Sequence, residues 1–127
     1  MIVLDTSIFI EALGGDAKIA NELREAIAGG ERTCLPALVL FEWLRGPRTP
    51  EQLAAQEALF PSSESIPFGP EEARIAAGLY RAVRRPPGRE VDLAIAACAV
   101  SWDAKLWTKN LADFDDLPGV KLWSIGP

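Results

Sequence analysis

The amino-acid sequence contains no histidine, and its only cysteines are Cys34 and Cys98, which lie far apart in the chain. A zinc site built from His and Cys ligands is therefore excluded, as is a catalytic triad that depends on His. Any metal ion must be held by oxygen ligands. Such ligands favour Mg²⁺, with Mn²⁺ as the alternative ion.

Long apolar runs are also missing. No segment approaches the roughly 18 consecutive apolar residues that a bilayer-spanning helix needs. The chain does not begin with the basic and then apolar segment of a secretory signal. We therefore expect a cytoplasmic protein with no membrane partner. In that compartment Cys34 and Cys98 stay reduced and act as small hydrophobic residues.

Apolar residues make up 49% of the chain and charged residues 24%, which is typical of a globular protein. At 127 residues, we expect positions 1–127 to form a single domain with a proper hydrophobic core. The net charge of -5 argues against a nonspecific nucleic-acid binder. That argument weakens if several of the acids face one pocket as metal ligands.

The arginines are unevenly distributed. Five of them fall within residues 74–89, a stretch that contains no acid. One interpretation is a solvated helix face, and the other is a local patch that binds phosphate groups. Under the second interpretation, the candidate RNA-binding residues are Arg81, Arg84, Arg85 and Arg89.

Strands and helices alternate in the predicted secondary structure, which is typical of a parallel sheet covered by helices. Short strands are expected at residues 2–4, 33–35, 64–66, 105–108 and 120–123. Helices are expected after Asp16, at Pro36, at Pro50, at Pro70 and at Glu90. Only a short helical turn is expected directly after the first strand. The pattern predicts an α/β fold with about five strands.

Asp5 directly follows residues 2–4, a short apolar run that predicts a strand buried on both faces. Asp5, Thr6 and Ser7 are of the types that cap helices, so one interpretation is that Asp5 caps the following turn. The other interpretation places its carboxylate at the carboxyl edge of the sheet. In open α/β folds, ligands bind at that edge.

Two further acids lie in apolar helical segments. Glu42 either forms a surface pair with Arg45 or has a functional role, since burying a carboxylate without partners is costly. Asp92 lies near the start of the most apolar helix. Its carboxylate either interacts favourably with the helix N-terminus or extends from the buried face that it shares with Ile95.

Asp113 and Asn110 follow the strand predicted at residues 105–108, as Asp5 follows the first strand. Four elements then each bring an oxygen ligand towards one edge of the sheet. Carboxylates that gather in this way repel one another and must take up protons or cations. Two divalent ions about 3.5–4 Å apart form the kind of site that performs in-line displacement at phosphodiesters.

At four segments the sequence resembles PIN-domain ribonucleases, and specifically the VapC type of toxin from type II toxin–antitoxin pairs. The segments are VLDTS at 3–7, FEWLRG at 41–46, DLAIAACA at 92–99 and WTKNLADF at 107–114. The resemblance implies a three-layer α/β/α fold and Mg²⁺-dependent hydrolysis of RNA phosphodiester bonds, commonly in transfer RNA or ribosomal RNA. It also implies a homodimer and a cognate antitoxin that lays a peptide across the groove.

The resemblance also implies roles for individual residues. The magnesium ligands would be Asp5, Glu42 and Asp92. Family members often carry an acid two residues after the Thr of the last motif, where this chain has Asn110. We therefore assign the fourth metal-site position to Asp113, with Asn110 assisting. Thr6 and Thr108 would orient metal-bound water.

Three other classes of protein compete with this hypothesis. A haloacid-dehalogenase type of phosphotransferase needs a second Asp two residues after Asp5, where this chain has Ser7. A receiver-type signalling domain needs an acidic pair near the start, and the acids lie elsewhere. A PIN-like module that binds RNA or protein without cutting stays open, because Asn110 replaces the usual acid.

Overall fold

In the computed structural model of the chain, which describes residues 1–124, short strands alternate with α-helices. The strands are β1 (Ile2–Leu4), β2 (Thr33–Cys34), β3 (Lys105–Trp107) and β4 (Lys121–Leu122). The helices are α1 (Thr6–Gly14), α2 (Ala17–Ala28), α3 (Ala37–Leu44), α4 (Pro50–Leu59), α5 (Pro70–Ala82) and α6 (Glu90–Ser101). Two 3₁₀ turns lie at Ser62–Glu64 and Leu111–Asp113.

The four strands form a single parallel sheet in the order β2-β1-β3-β4. In the centre, Leu4 of β1 pairs with Trp107 of β3, so both strands end at the same level. All three residues of β1 are fully buried. The predicted α/β fold with a central parallel sheet is therefore confirmed, and Asp5 and Thr108 follow neighbouring strand ends.

Helix α6 is the most deeply buried helix in the described part of the chain. Residues 93–99 are all buried, and most of them are alanines that let the helix approach its neighbours closely. Cys98 lies in this run, and both it and Cys34 are free thiols, as expected. Burial raises the pKa of the Cys98 thiol to about 12. Asp92 lies in the first turn of α6, at the end where β1 and β3 finish.

Three aromatic rings fix α1 against α3 and α4. The Phe9 ring of α1 meets Trp43 of α3 edge-on, with ring centroids 5.3 Å apart. It meets Phe60, which follows α4, in the same way at 5.5 Å. Such pairs contribute about 0.5–1.5 kcal/mol each beyond the area that they bury. This packing sets the distance between Thr6 and Glu42, which lie on the same two helices.

The prediction of a strand at residues 64–66 is wrong, and the sheet has four strands in the described residues. Only Ile66 makes a bridge, with Pro36. On one side, the Glu64 N–H is already bonded to the Pro61 carbonyl within the 3₁₀ turn. On the other side, Ala37 begins α3, so the ladder cannot extend.

The element after β1 is longer than predicted. A full helix, α1, runs over nine residues where a single turn was expected. The residue that caps its C-terminus is Gly15, whose φ of 115° lies in the left-handed region that glycine adopts without strain.

None of the helices within residues 1–124 combines the length and apolar character that crossing a bilayer requires.

Candidate active site

Asp5 ends β1 and has the backbone conformation of the residue that caps α1, with φ of -75° and ψ of 160°. Its side chain nevertheless makes no cap hydrogen bond. The carboxylate accepts hydrogen bonds from Ser7 Oγ at 2.9 Å and from Thr108 Oγ1 at 2.7 Å. Only 3% of Asp5 is exposed. The Asp5 side chain therefore does not cap the backbone of α1, and its buried carboxylate is held by one hydroxyl from α1 and one from the residue after β3.

The hydroxyls that hold Asp5 are themselves fixed by the loop after β3. Ser7 Oγ accepts the Lys109 N–H at 3.2 Å, and Thr108 Oγ1 accepts the Asn110 N–H at 3.0 Å. The Asp5 N–H donates to the Trp107 carbonyl at 2.9 Å. Ser7 was not among the predicted site residues. Its position two residues after Asp5, on the first turn of α1, was the signal available in the sequence.

Glu42 lies on α3 and faces Thr6 of α1. Thr6 Oγ1 donates to Glu42 Oε1 at 2.6 Å. The Arg45 guanidinium lies 3.3 Å from the other carboxylate oxygen, so the predicted surface pair also exists. Arg45 is largely exposed, and ion pairs of this kind contribute about 0–1 kcal/mol. Glu42 is thus partnered on both oxygens, and one of its partners belongs to the same strand-to-helix turn as Asp5.

The pKa of Asp92 shows that the predicted acids approach one another. It is raised from 3.8 to about 6, first by burial and then by the negative charges of Asp5, Asp113 and Glu42. Arg89 opposes this shift. A helix N-terminus alone would lower the pKa of an acid in the first turn. Repulsion and desolvation therefore dominate here, and the four acids from four elements share one electrostatic environment.

Asp113 and Asn110 occupy the loop after β3. Asp113 ends the 3₁₀ turn that begins at Leu111, and its side chain is exposed. It raises the pKa of Asp92 more than Glu42 does. Asn110 is held through its backbone N–H by Thr108, and its side chain is exposed. The charge of Asp113 therefore reaches Asp92.

The donor set of this cleft consists of carboxylates and hydroxyls, which are the ligands that a hard divalent cation prefers. Within residues 1–124, however, no three acids already stand at distances that would hold one ion. Asp5 and Glu42 instead accept hydrogen bonds from the hydroxyls of Thr108 and Thr6. The residues therefore fit such an ion by the chemistry of their donor atoms.

The predicted arginine patch divides into two parts. The side chains of Arg81, Arg84 and Arg85 are exposed. Arg89 is engaged instead with Asp116, to which its guanidinium donates at 2.8 and 3.1 Å. In the sequence Asp116 resembled an ordinary loop acid. No short-range spacing reveals an ion pair between residues so far apart along the chain.

Comparisons with known proteins find a matching family and a related sequence. A family model described as "PIN domain" matches residues 2–120 of this chain. Ribonuclease VapC19 from Mycobacterium tuberculosis is 37% identical over 123 residues, which cover 95% of this chain and 98% of that protein.

Two solved structures share the fold. The DNA-bound VapBC of Salmonella typhimurium matches with a TM-score of 0.78 at 23% identity, covering 96% of both chains. A toxin–antitoxin complex from Klebsiella pneumoniae matches with a TM-score of 0.72 at 23% identity, covering 98% of this chain and 100% of that chain. At these identities the structural likeness concerns the fold alone.

Proposed function

The chain belongs to the PIN-domain family, and from this premise we propose that it is a Mg²⁺-dependent endoribonuclease, the toxin of a type II toxin–antitoxin pair. Its substrates would be transfer RNA or ribosomal RNA in the cytoplasm. The observation that carries the proposal is that acids from four elements gather at one edge of the sheet, where burial and the charges of Asp5, Asp113 and Glu42 together raise the pKa of Asp92. The related protein called a ribonuclease, which aligns along almost the whole chain, supports the same conclusion.

The metal-holding residues would be Asp5, Glu42, Asp92 and Asp113, with Mg²⁺ as the ion and Mn²⁺ as the alternative. When bound, such an ion supplies a nucleophile from water near neutral pH and offsets negative charge at the phosphodiester. The hydroxyls of Thr108 and Ser7 orient Asp5, and the hydroxyl of Thr6 orients Glu42. Orientation of water by Thr6 and Thr108, and assistance from Asn110, remain part of the proposal.

RNA phosphates would bind along Arg81, Arg84 and Arg85. These side chains are exposed at the end of α5 and in the loop that leads to α6. That loop ends at the turn that carries Asp92, so an RNA strand lying on the arginines reaches the acidic cleft. Positive charge beside the cleft also offsets the repulsion between an acidic site and a polyanion.

The proposed protein partners are a cognate antitoxin and a second copy of this chain. Phe41 and Leu44 of α3 are 57% and 48% exposed and line an apolar groove together with Arg45, which pairs with Glu42. An exposed apolar groove of this kind supports the binding of a partner peptide. The structural neighbours from Salmonella typhimurium and Klebsiella pneumoniae are complexes of this toxin–antitoxin kind.

A second function, a PIN-like module that binds RNA or protein without cutting, is favoured by one observation. No three acids within residues 1–124 stand at ion-holding distances. In such a module the carboxylates would remain partnered by hydroxyls and by Arg45.

The test is cleavage of defined RNA by the purified chain, freed from any antitoxin. Transfer RNA and ribosomal RNA are incubated separately in millimolar Mg²⁺, in Mn²⁺ and in EDTA. We expect cleavage with the metals only, and none by Asp5→Asn. The matched control is Asp115→Asn, which removes an exposed acid nearby and should cut like the wild type. RNA that is bound but never cut would support the module instead.

A further inference from the structure

Arg89 joins two elements that carry acids of the cleft. It is the residue immediately before α6, and its guanidinium reaches the segment after β3. Nη2 donates to Asp116 Oδ1 at 2.8 Å and to the Asp113 carbonyl at 2.8 Å. Nη1 donates to Asp116 Oδ2 at 3.1 Å and to the Arg84 carbonyl at 3.4 Å. One side chain thus binds a carboxylate in fork geometry and two backbone carbonyls.

These contacts hold Arg89 in place. Its side chain is only 20% exposed, and hydrogen bonding to Asp116 raises the pKa of the guanidinium above its ordinary value. Bidentate pairs between Arg and a carboxylate combine two charge-assisted hydrogen bonds with a fixed orientation. A guanidinium committed in this way has few N–H groups left for an RNA phosphate.

Near Asp113, the segment that follows β3 is held by hydrogen bonds within its own turn, from the Asp113 N–H to the Asn110 carbonyl and from the Asp115 N–H to the Leu111 carbonyl. Phe114 and Leu117 anchor it in the core, but Asp113 itself is exposed at the end of a single 3₁₀ turn. The Arg89 hydrogen bonds to Asp116 and to the Asp113 carbonyl join this turn to the start of α6. Losing them would leave the Asp113 turn free to move relative to α6.

We infer that Arg89 and Asp116 form a clamp that positions Asp113 beside Asp92, so that Arg89 is a positioning residue and not an RNA ligand. This inference rests on the proposed function, because it assumes that Asp113 and Asp92 hold the same ion. It replaces the RNA-binding role that the arginine pattern suggested for Arg89. Outer-shell partners of this kind commonly change metal affinity by about 10- to 100-fold.

The test compares clamp variants with matched controls in two measurements. The clamp variants are Arg89→Ala, Arg89→Lys and Asp116→Asn. The controls are Arg24→Ala, which removes an exposed positive charge from α2, and Asp115→Asn, which removes an acid next to Asp116. The first measurement is hydrogen exchange in the metal-free protein, at the Asp113 and Asp115 amides that are bonded within the turn. The second is Mn²⁺ binding by calorimetry, without RNA.

We expect faster exchange at both amides in Arg89→Ala and Asp116→Asn, and Mn²⁺ dissociation constants about 10-fold higher than in the wild type. Arg89→Lys keeps the charge but loses the fork, so it should lie between these variants and the wild type. Both controls should match the wild type. A merely structural role would lower the melting temperature without changing Mn²⁺ affinity at a temperature where every variant is folded.

The outcomes distinguish a failure of the proposed clamp from a failure of the proposed metal site. Unchanged exchange in Arg89→Ala would overturn the clamp, whatever the metal does. Unchanged Mn²⁺ affinity in Arg89→Ala, with tight binding by the wild type, would overturn the positioning role and leave the proposed function intact. A wild type that binds no Mn²⁺ would overturn the metal site of the proposed function, while the exchange measurement still decides whether the clamp exists.

Discussion

Thr108 donates its hydroxyl hydrogen to the Asp5 carboxylate across 2.7 Å, although 103 positions separate the two residues in the chain. The bond joins the ends of β1 and β3, the two central strands of the sheet. It is buried, so the Asp5 carboxyl group depends on it in place of water. Asp5 is therefore held in place by Thr108, which belongs to the segment at residues 107–114.

Removing this donor should cost more stability than removing an ordinary hydroxyl. We expect Thr108→Val to lower the free energy of unfolding by about 1–3 kcal/mol, because it leaves a buried carboxylate with one hydroxyl partner fewer. The measurement is urea denaturation at neutral pH in EDTA. Thr33→Val is the matched control, since that residue lies in β2 and is only partly buried. Equal losses in the two variants would contradict the role given to Thr108.

The raised pKa of Asp92 predicts how stability depends on pH in metal-free protein. The folded state binds the Asp92 proton more tightly than the unfolded chain, whose pKa is near 3.8. Its stabilising contribution is therefore full below pH 3.8 and is lost as the pH rises through about 6. We expect Asp92→Asn in EDTA to be more stable than the wild type at pH 7. The difference should shrink as the pH falls towards 4.

Thermal unfolding in EDTA at several pH values measures this difference. Asp103→Asn is the control, because that acid is exposed and lies beyond the far end of α6. An Asp92→Asn protein that is less stable than the wild type at pH 7 would show that the carboxylate is stabilised where it stands, contrary to its crowded surroundings.

The exposed arginines should govern RNA affinity by binding phosphates. We expect the double change Arg84→Ala, Arg85→Ala to weaken binding of a single-stranded RNA and to flatten its salt dependence. The slope of log K against log salt should fall by about 0.7 for each phosphate that the variant no longer neutralises. Fluorescence anisotropy with Asp5→Asn as the background avoids cleavage during the measurement.

Arg24→Ala, in the same background, is the control for the loss of positive charge from a distant helix. Arg89→Ala should also leave the salt slope unchanged, because its guanidinium is committed to Asp116. If the salt slope falls with Arg89→Ala but not with the double change at Arg84 and Arg85, then Arg89 binds RNA phosphates and the two exposed arginines do not.

The sequence predicts well wherever one local pattern dominates. The run at residues 2–4, the apolar stretch of α6 and the helix start at Pro50 each favour one structure, and each forms as predicted. Asp5 could be selected because it directly follows a predicted strand, and Glu42 because burying a carboxylate without partners is costly. Parallel strands end at one edge of the sheet, so Asp5 and the loop that carries Asp113 could be expected to lie close together.

Features that depend on long-range contacts could not be predicted in this way. Arg89 pairs with Asp116, and Ser7 Oγ accepts a hydrogen bond from the Lys109 N–H. Both contacts join residues that lie far apart in the chain. The expected strand at 64–66 fails because Glu64 bonds to Pro61 within its own turn. Local propensity at such positions favours two structures equally, and the tertiary packing decides between them.

The central claim is that carboxylates from four elements share one divalent cation, and thermal unfolding with increasing Mg²⁺ tests it most directly. An ion that binds only the folded state stabilises by about 2.7 kcal/mol at a concentration 100 times its dissociation constant. We predict that millimolar Mg²⁺ raises the melting temperature of the wild type and of Asp115→Asn, while Asp5→Asn shows no rise. A wild type that is unaffected by Mg²⁺, or an equal rise in Asp5→Asn, would contradict the claim.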